Sequence, residues 1–192
     1  MTRFWLQEEP LAIILTTWHK KGGINVLDVD NTLYVSGPTK DVQRFAKATQ
    51  SMPWEVIHGN WAAWATESIK PQFCFHALVP MPKEIYDHLN EADEDAETMS
   101  KGQAWMMKNW GTYPDAQYVQ TDIYWGEETS TFQAFFDTLR APDNWLITVA
   151  KQFPMLDFRL ECIDLINQVQ YLVMCCKGSL VEYLPCEADE DY

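Results

Sequence analysis

Two carboxylates stand two residues apart in Asp28-Val29-Asp30-Asn31-Thr32-Leu33, inside a stretch that reads as extended. On a strand, residues i and i+2 share a face. One carboxylate could then attack an electrophile while the other moves a proton to or from the leaving group. Such a pair needs a divalent cation and a lysine to offset its charge. The competing reading is a solvent-facing strand whose acids are simply hydrated. Cys74 and His76 repeat the same spacing and could form a thiol–imidazole pair, but no third residue stands ready to orient the imidazole. The four histidines, His19, His58, His76 and His88, lack metal-ligand spacing, and there is no Cys-x-x-Cys. No metal site and no cofactor is expected. Gly22-Gly23 is only a turn.

Residues suited to binding are more prominent than residues suited to catalysis. The chain carries a net charge of −14. Residues 1–70 hold seven acids and seven bases, so the excess falls entirely in residues 71–192. Glu91, Asp93, Glu94, Asp95 and Glu97 form the densest cluster, and Glu127-Glu128 a second. Such a field disfavours direct contact with DNA or RNA phosphates and favours basic partners, many of which handle nucleic acid themselves. Nine tryptophans are present. Trp supplies broad apolar contact with one polar handle, in cores and at interfaces alike. Trp61 and Trp64 lie in a polar, irregular segment and are expected to face a partner; core packing is expected for most of the others.

The elements that must position these residues follow from pattern. Ile24 to Val35 reads as a strand stopped by Ser36-Gly37-Pro38, and Asp41 to Ala48 as a short amphipathic helix with Thr39 as its cap. Phe73 to Val79 reads as a buried strand. Helices are expected at Lys83 to Leu89, Gln103 to Asn109 and Pro142 to Lys151. Two hairpins are expected: Tyr118 to Trp125 with Thr131 to Thr138, and Phe158 to Ile163 with Val169 to Cys176. Residues 177–192 read as an acidic, mobile tail. The class is α+β, an antiparallel sheet with helices packed on one face.

Composition narrows the rest. With 47% apolar and 22% charged residues, the chain is globular rather than disordered. No apolar run reaches the roughly 18 residues of a membrane helix, and no export signal opens the chain. Five cysteines, two of them adjacent, argue against paired disulfides and for a reducing cytoplasm. One domain over residues 1–192 is expected, divisible into a charge-neutral part at 1–70 and an acidic part at 71–176.

Two resemblances sharpen these readings. Asp28 to Leu33 resembles the first motif of haloacid-dehalogenase-type phosphatases, which implies a Mg²⁺-dependent phosphatase using Asp28 and Asp30. The companion Gly-Asp-x-x-x-Asp pattern of that fold is missing. The second resemblance covers residues 24–176. Phe75-His76-Ala77-Leu78-Val79-Pro80-Met81-Pro82, Asn109-Trp110-Gly111-Thr112, Phe136-Asp137-Thr138 to Ala141-Pro142, and Phe153-Pro154 resemble the YubB-type ferredoxin-like domain of phage and plasmid proteins. It implies a ferredoxin-like sandwich and an origin in mobile DNA, and it brings no catalytic residues. The function expected is that of a non-enzymatic acidic binding protein in a host-cell cytoplasm. It would inhibit a nucleic-acid-targeting defence complex, as anti-CRISPR proteins and DNA mimics do, by occupying a basic surface. The phosphatase is the alternative.

Overall fold

The computed structural model describes residues 29–52, 70–86 and 100–187. Its centre is a six-stranded sheet in the order β4-β5-β1-β6-β7-β8, every neighbouring pair antiparallel. The strands are β1 (Val29–Pro38), β4 (Gln117–Tyr124), β5 (Thr129–Thr138), β6 (Asp157–Asp164), β7 (Val169–Cys176) and β8 (Ser179–Glu187). A two-residue pair, β2 (Gln50–Ser51) with β3 (Gln72–Phe73), lies apart from them. The helices are α1 (Thr39–Ala48), α2 (Lys83–Tyr86), α3 (Lys101–Trp110) and α4 (Asp143–Gln152). No helix among the described residues is long and apolar enough to cross a membrane.

Alternation decides which face of the sheet is inside. Val29, Leu33 and Val35 of β1, Phe132, Ala134 and Phe136 of β5, and Phe158, Leu160 and Cys162 of β6 are all buried. Cross-strand register places them on one face, with Leu33 between Ala134 and Leu160. Period-two side-chain direction makes that face one continuous apolar layer. Helix α1 covers it with Val42 and Phe45, whose ring meets Phe132, Phe153 and Phe158 edge-on at 5.3 to 5.6 Å. Helix α4 adds Trp145, Leu146 and Val149.

A second aromatic group extends this core. Phe75 packs within 4.9 to 5.9 Å of Trp110, Phe136 and Trp145. Both indoles are satisfied: Trp110 Nε1 donates to Val79 O at 3.0 Å and Trp145 Nε1 to Phe75 O at 3.1 Å. Gly111 ends α3 at φ 88°, where an added Cβ would strike Asp143 Oδ1 and Ala141 O. Only glycine takes that left-handed turn without strain. The Asn109-Trp110-Gly111-Thr112 stretch is therefore a packing and turning device.

Three expectations are corrected. Phe73 to Val79 is not a strand: only Gln72–Phe73 pairs, and Phe75–Ala77 coils into a 3-10 turn. The cause is Asp115, a buried carboxylate that accepts from Phe75 N at 2.6 Å and His76 N at 3.1 Å and pulls the chain into the turn. Thr39 does not cap α1, whose N-cap is Pro38. Its hydroxyl donates instead to Gly126 O at 3.0 Å and meets Ser130 Oγ at 2.9 Å. Finally, residues 179–187 are a strand rather than a tail. Lys177 and Gly178, both at positive φ, make a two-residue hairpin turn. Pro185 is tolerated because β8 is an edge strand.

Candidate interaction surface

The other face of the sheet carries no helix among the described residues, and its side chains are chemically distinct. Register brings Asp30 opposite Asp137, Thr32 between Phe135 and Glu161, Tyr34 between Gln133 and Arg159, and Ser36 between Thr131 and Asp157. Asp122 lies beside Gln133 on β4, and Glu182 lies beyond Met174 on β8. Six acids thus share one face: Asp30, Asp122, Asp137, Asp157, Glu161 and Glu182. Arg159 is the one base on it among the described residues. Among the described residues the helices carry an excess of bases, Lys40, Arg44, Lys47, Lys83, Lys101, Lys108 and Lys151, over three acids, Asp41, Glu84 and Asp143. Among the described residues, acids predominate on the open face of the sheet and bases on the helices.

Aromatic rings are interleaved with these acids. Phe135 is 37% exposed and Tyr124 59%. Tyr34 is half-buried. Arg159 places its guanidinium 5.8 Å from the Tyr34 ring centroid, and its Nη2 meets Glu161 Oε1. Burial, reinforced by the Glu161 charge, raises the Tyr34 phenol above its ordinary value, so it stays neutral. A guanidinium held by a ring and a carboxylate gains from both the ring quadrupole and a charge-assisted hydrogen bond.

The expected site residues are distributed unevenly. Glu127 and Glu128 are exposed in the β4–β5 turn. That turn is fixed to the start of α1, because Thr39 N donates to Glu128 O at 3.0 Å while its hydroxyl reaches Gly126 O. Trp61, Trp64, Glu91, Asp93, Glu94, Asp95, Glu97 and Asp28 lie outside the described residues. Asp30 is exposed as the second residue of β1, with antiparallel neighbours on both sides. Cys74 and His76 do not share a strand face. Cys74 Sγ donates to Ser51 O at 3.6 Å, and His76 Nδ1 accepts from Met81 N at 3.5 Å from within the 3-10 turn. Burial lowers the His76 value and keeps its imidazole neutral. Burial also pushes the Cys162, Cys175 and Cys176 thiols up, away from the thiolate a nucleophile requires. Among the described residues no group of three His, Cys, Asp or Glu is placed to hold a metal ion.

Asp122, Asp137, Asp157, Glu161 and Glu182 were not singled out from sequence. The available signal was strand parity: Asp157, Arg159 and Glu161 alternate with buried Phe158, Leu160 and Cys162.

No family model matches the chain, and no curated protein matches it. Among solved structures it is similar to protein api92 from Yersinia pseudotuberculosis, of family DUF1281, at 12% identity and a TM-score of 0.48. The match covers 77% of this chain and 54% of that one, so the chain spans about half the length of that protein.

Proposed function

We propose that this protein is a non-enzymatic acidic binding module whose acidic sheet face, with Glu127 and Glu128 at its edge, docks on the basic surface of a nucleic-acid-binding protein. The observation that carries the reading is the separation of charge across one sheet. Carboxylates on a rigid strand array present fixed, spaced negative charge, as a phosphate backbone does. The interleaved rings suit the arginines that such surfaces use. Glu91, Asp93, Glu94, Asp95 and Glu97, together with Trp61 and Trp64, belong to the proposed surface on sequence grounds. The target in this reading is a host machine that holds nucleic acid, inhibited in the host cytoplasm by a protein of phage or plasmid origin.

A ferredoxin-like core belongs to the same proposal. The order β6-β1-β5-β4 supports it, with α1 following β1 and α4 joining β5 to β6; β7 and β8 would then extend that core. The phosphatase alternative gains no support from geometry. Asp30 sits near the start of its strand in an antiparallel sheet, whereas that chemistry places its nucleophile at the end of a parallel one.

The test uses a fluorescent arginine-rich peptide bound to duplex DNA. Adding the protein should release the DNA. A variant with the six face acids changed to Asn or Gln should need at least about tenfold more protein for the same release, with unchanged melting. Equal release by both proteins would defeat the proposal.

A further inference from the structure

The acidic face already contains one arginine in a defined seat. On β1 and β6, Tyr34 and Arg159 are direct cross-strand neighbours, and Glu161 lies two residues along β6 on the same face. The guanidinium stands over the ring at 5.8 Å and meets the Glu161 carboxylate at its edge. This is the contact set an incoming arginine would seek: an aromatic face for the planar cation and an oxygen pair for its N–H fork.

Arg159 is also poorly anchored as a structural residue. Its side chain is 51% exposed, and that of Glu161 37%. A half-exposed ion pair in water holds its partners weakly. Asp157, two residues back on the same strand and face, offers the displaced guanidinium another carboxylate. Swinging Arg159 aside therefore costs little, and it uncovers a ring and an acid together.

We infer that Tyr34 and Glu161 form an arginine subsite occupied by the chain's own Arg159, which an arginine of the basic partner displaces. Arg159 acts as a self-competitor that lowers affinity for arginine-rich surfaces. The inference rests on the proposed docking of a basic partner and adds which side chain is read there. It separates two effects. Removing a positive charge from an acidic face helps any cation, whereas vacating the seat helps only a planar one that can stack.

The experiment compares an arginine-rich peptide with a lysine peptide of equal length and charge, by fluorescence anisotropy on the full chain. Arg159→Gln should tighten binding of both peptides and raise the preference for arginine about threefold or more. Adding Tyr34→Leu should erase that increase in preference; adding Tyr34→Phe, which keeps a ring, should retain it. Thermal melting of each variant confirms folding. An equal gain for both peptides in Arg159→Gln would overturn the subsite, as would a preference that survives Tyr34→Leu. The outcomes also separate this inference from the docking proposal. If neutralising the other five acids with Glu161 kept leaves binding unchanged, docking itself fails; if it weakens binding while Arg159→Gln leaves the arginine preference flat, only the subsite fails.

Discussion

The two faces of the sheet are made from alternate residues of the same strands, yet they obey different physics. One face buries Leu33, Val35, Phe132, Phe136, Phe158 and Leu160 beneath helices that carry Phe45 and Trp145. The other sets Asp30 against Asp137 and Arg159 against Tyr34 in water. Apolar burial is non-directional and cumulative, so the first face supplies stability. Exposed charge contributes little to folding and much to encounter and selection, so the second is free to serve recognition. On the proposed reading, binding and folding are therefore alterable separately in this molecule.

Truncation of the helix-side core should have the largest effect. Trp145→Ala removes a fully buried ring with a satisfied indole and should cost about 3–5 kcal/mol in denaturant unfolding. Peptide affinity of the folded fraction should not change. Next is Asp115→Ala. It removes the acceptor for Phe75 N, His76 N and, at 2.7 Å, Ala116 N. Buried N–H groups would be left unsatisfied, at about 2–3 kcal/mol. Gly111→Ala should follow at about 2 kcal/mol, because φ 88° strains any L side chain and its Cβ would strike Asp143.

The acidic face should behave differently. Asp30→Asn with Asp137→Asn should change stability by less than about 0.5 kcal/mol, since like charges directly opposite repel. The pair should nevertheless weaken binding to an arginine-rich peptide. A melting loss comparable to Trp145→Ala would break the contrast between faces.

The smallest effect concerns pH at the β6–β7 turn. The Asp164 carboxylate accepts from Asn167 N at 2.8 Å and Ile166 N at 3.1 Å, and the Asn167 bond leads in lowering its value. A carboxyl with a lowered native value binds its proton less readily folded than unfolded. Its contribution is therefore complete above about pH 4 and fades as pH falls through the lowered native value. Acid titration of Asp164→Ala by circular dichroism should show a shallower loss of stability than the parent in that window.

How much of this was legible in sequence depended on range. The alternation in Asn31 to Val35, the periodicity of Asp41 to Ala48, and the two hairpins are local patterns, and they place α1, β4 to β7 and α4 closely, whereas β1 runs on through the expected stop at Ser36-Gly37-Pro38, where pairing with Thr131, Ser130 and Thr129 continues. Phe73 to Val79 has strand composition, but its conformation is set by Asp115, forty residues away in the chain. β8 was hidden by its acids, by Pro185 and by a Lys-Gly turn lacking the usual Asn-Gly signature. The acidic face was hidden for a further reason. Asp30 and Asp137 become neighbours only through strand register, which no local window contains. The dense run at 91–97 drew attention because its acids are contiguous, whereas the face acids are dispersed over five strands.

Amide chemical-shift mapping during titration with an arginine-rich peptide tests the division of labour most directly. Perturbations are expected to centre on β1, β5 and β6 around Asp30, Tyr34, Phe135 and Glu161, with the α1 and α4 amides unmoved. Perturbations confined to the helices, or to residues 87–99 with the sheet silent, would contradict it.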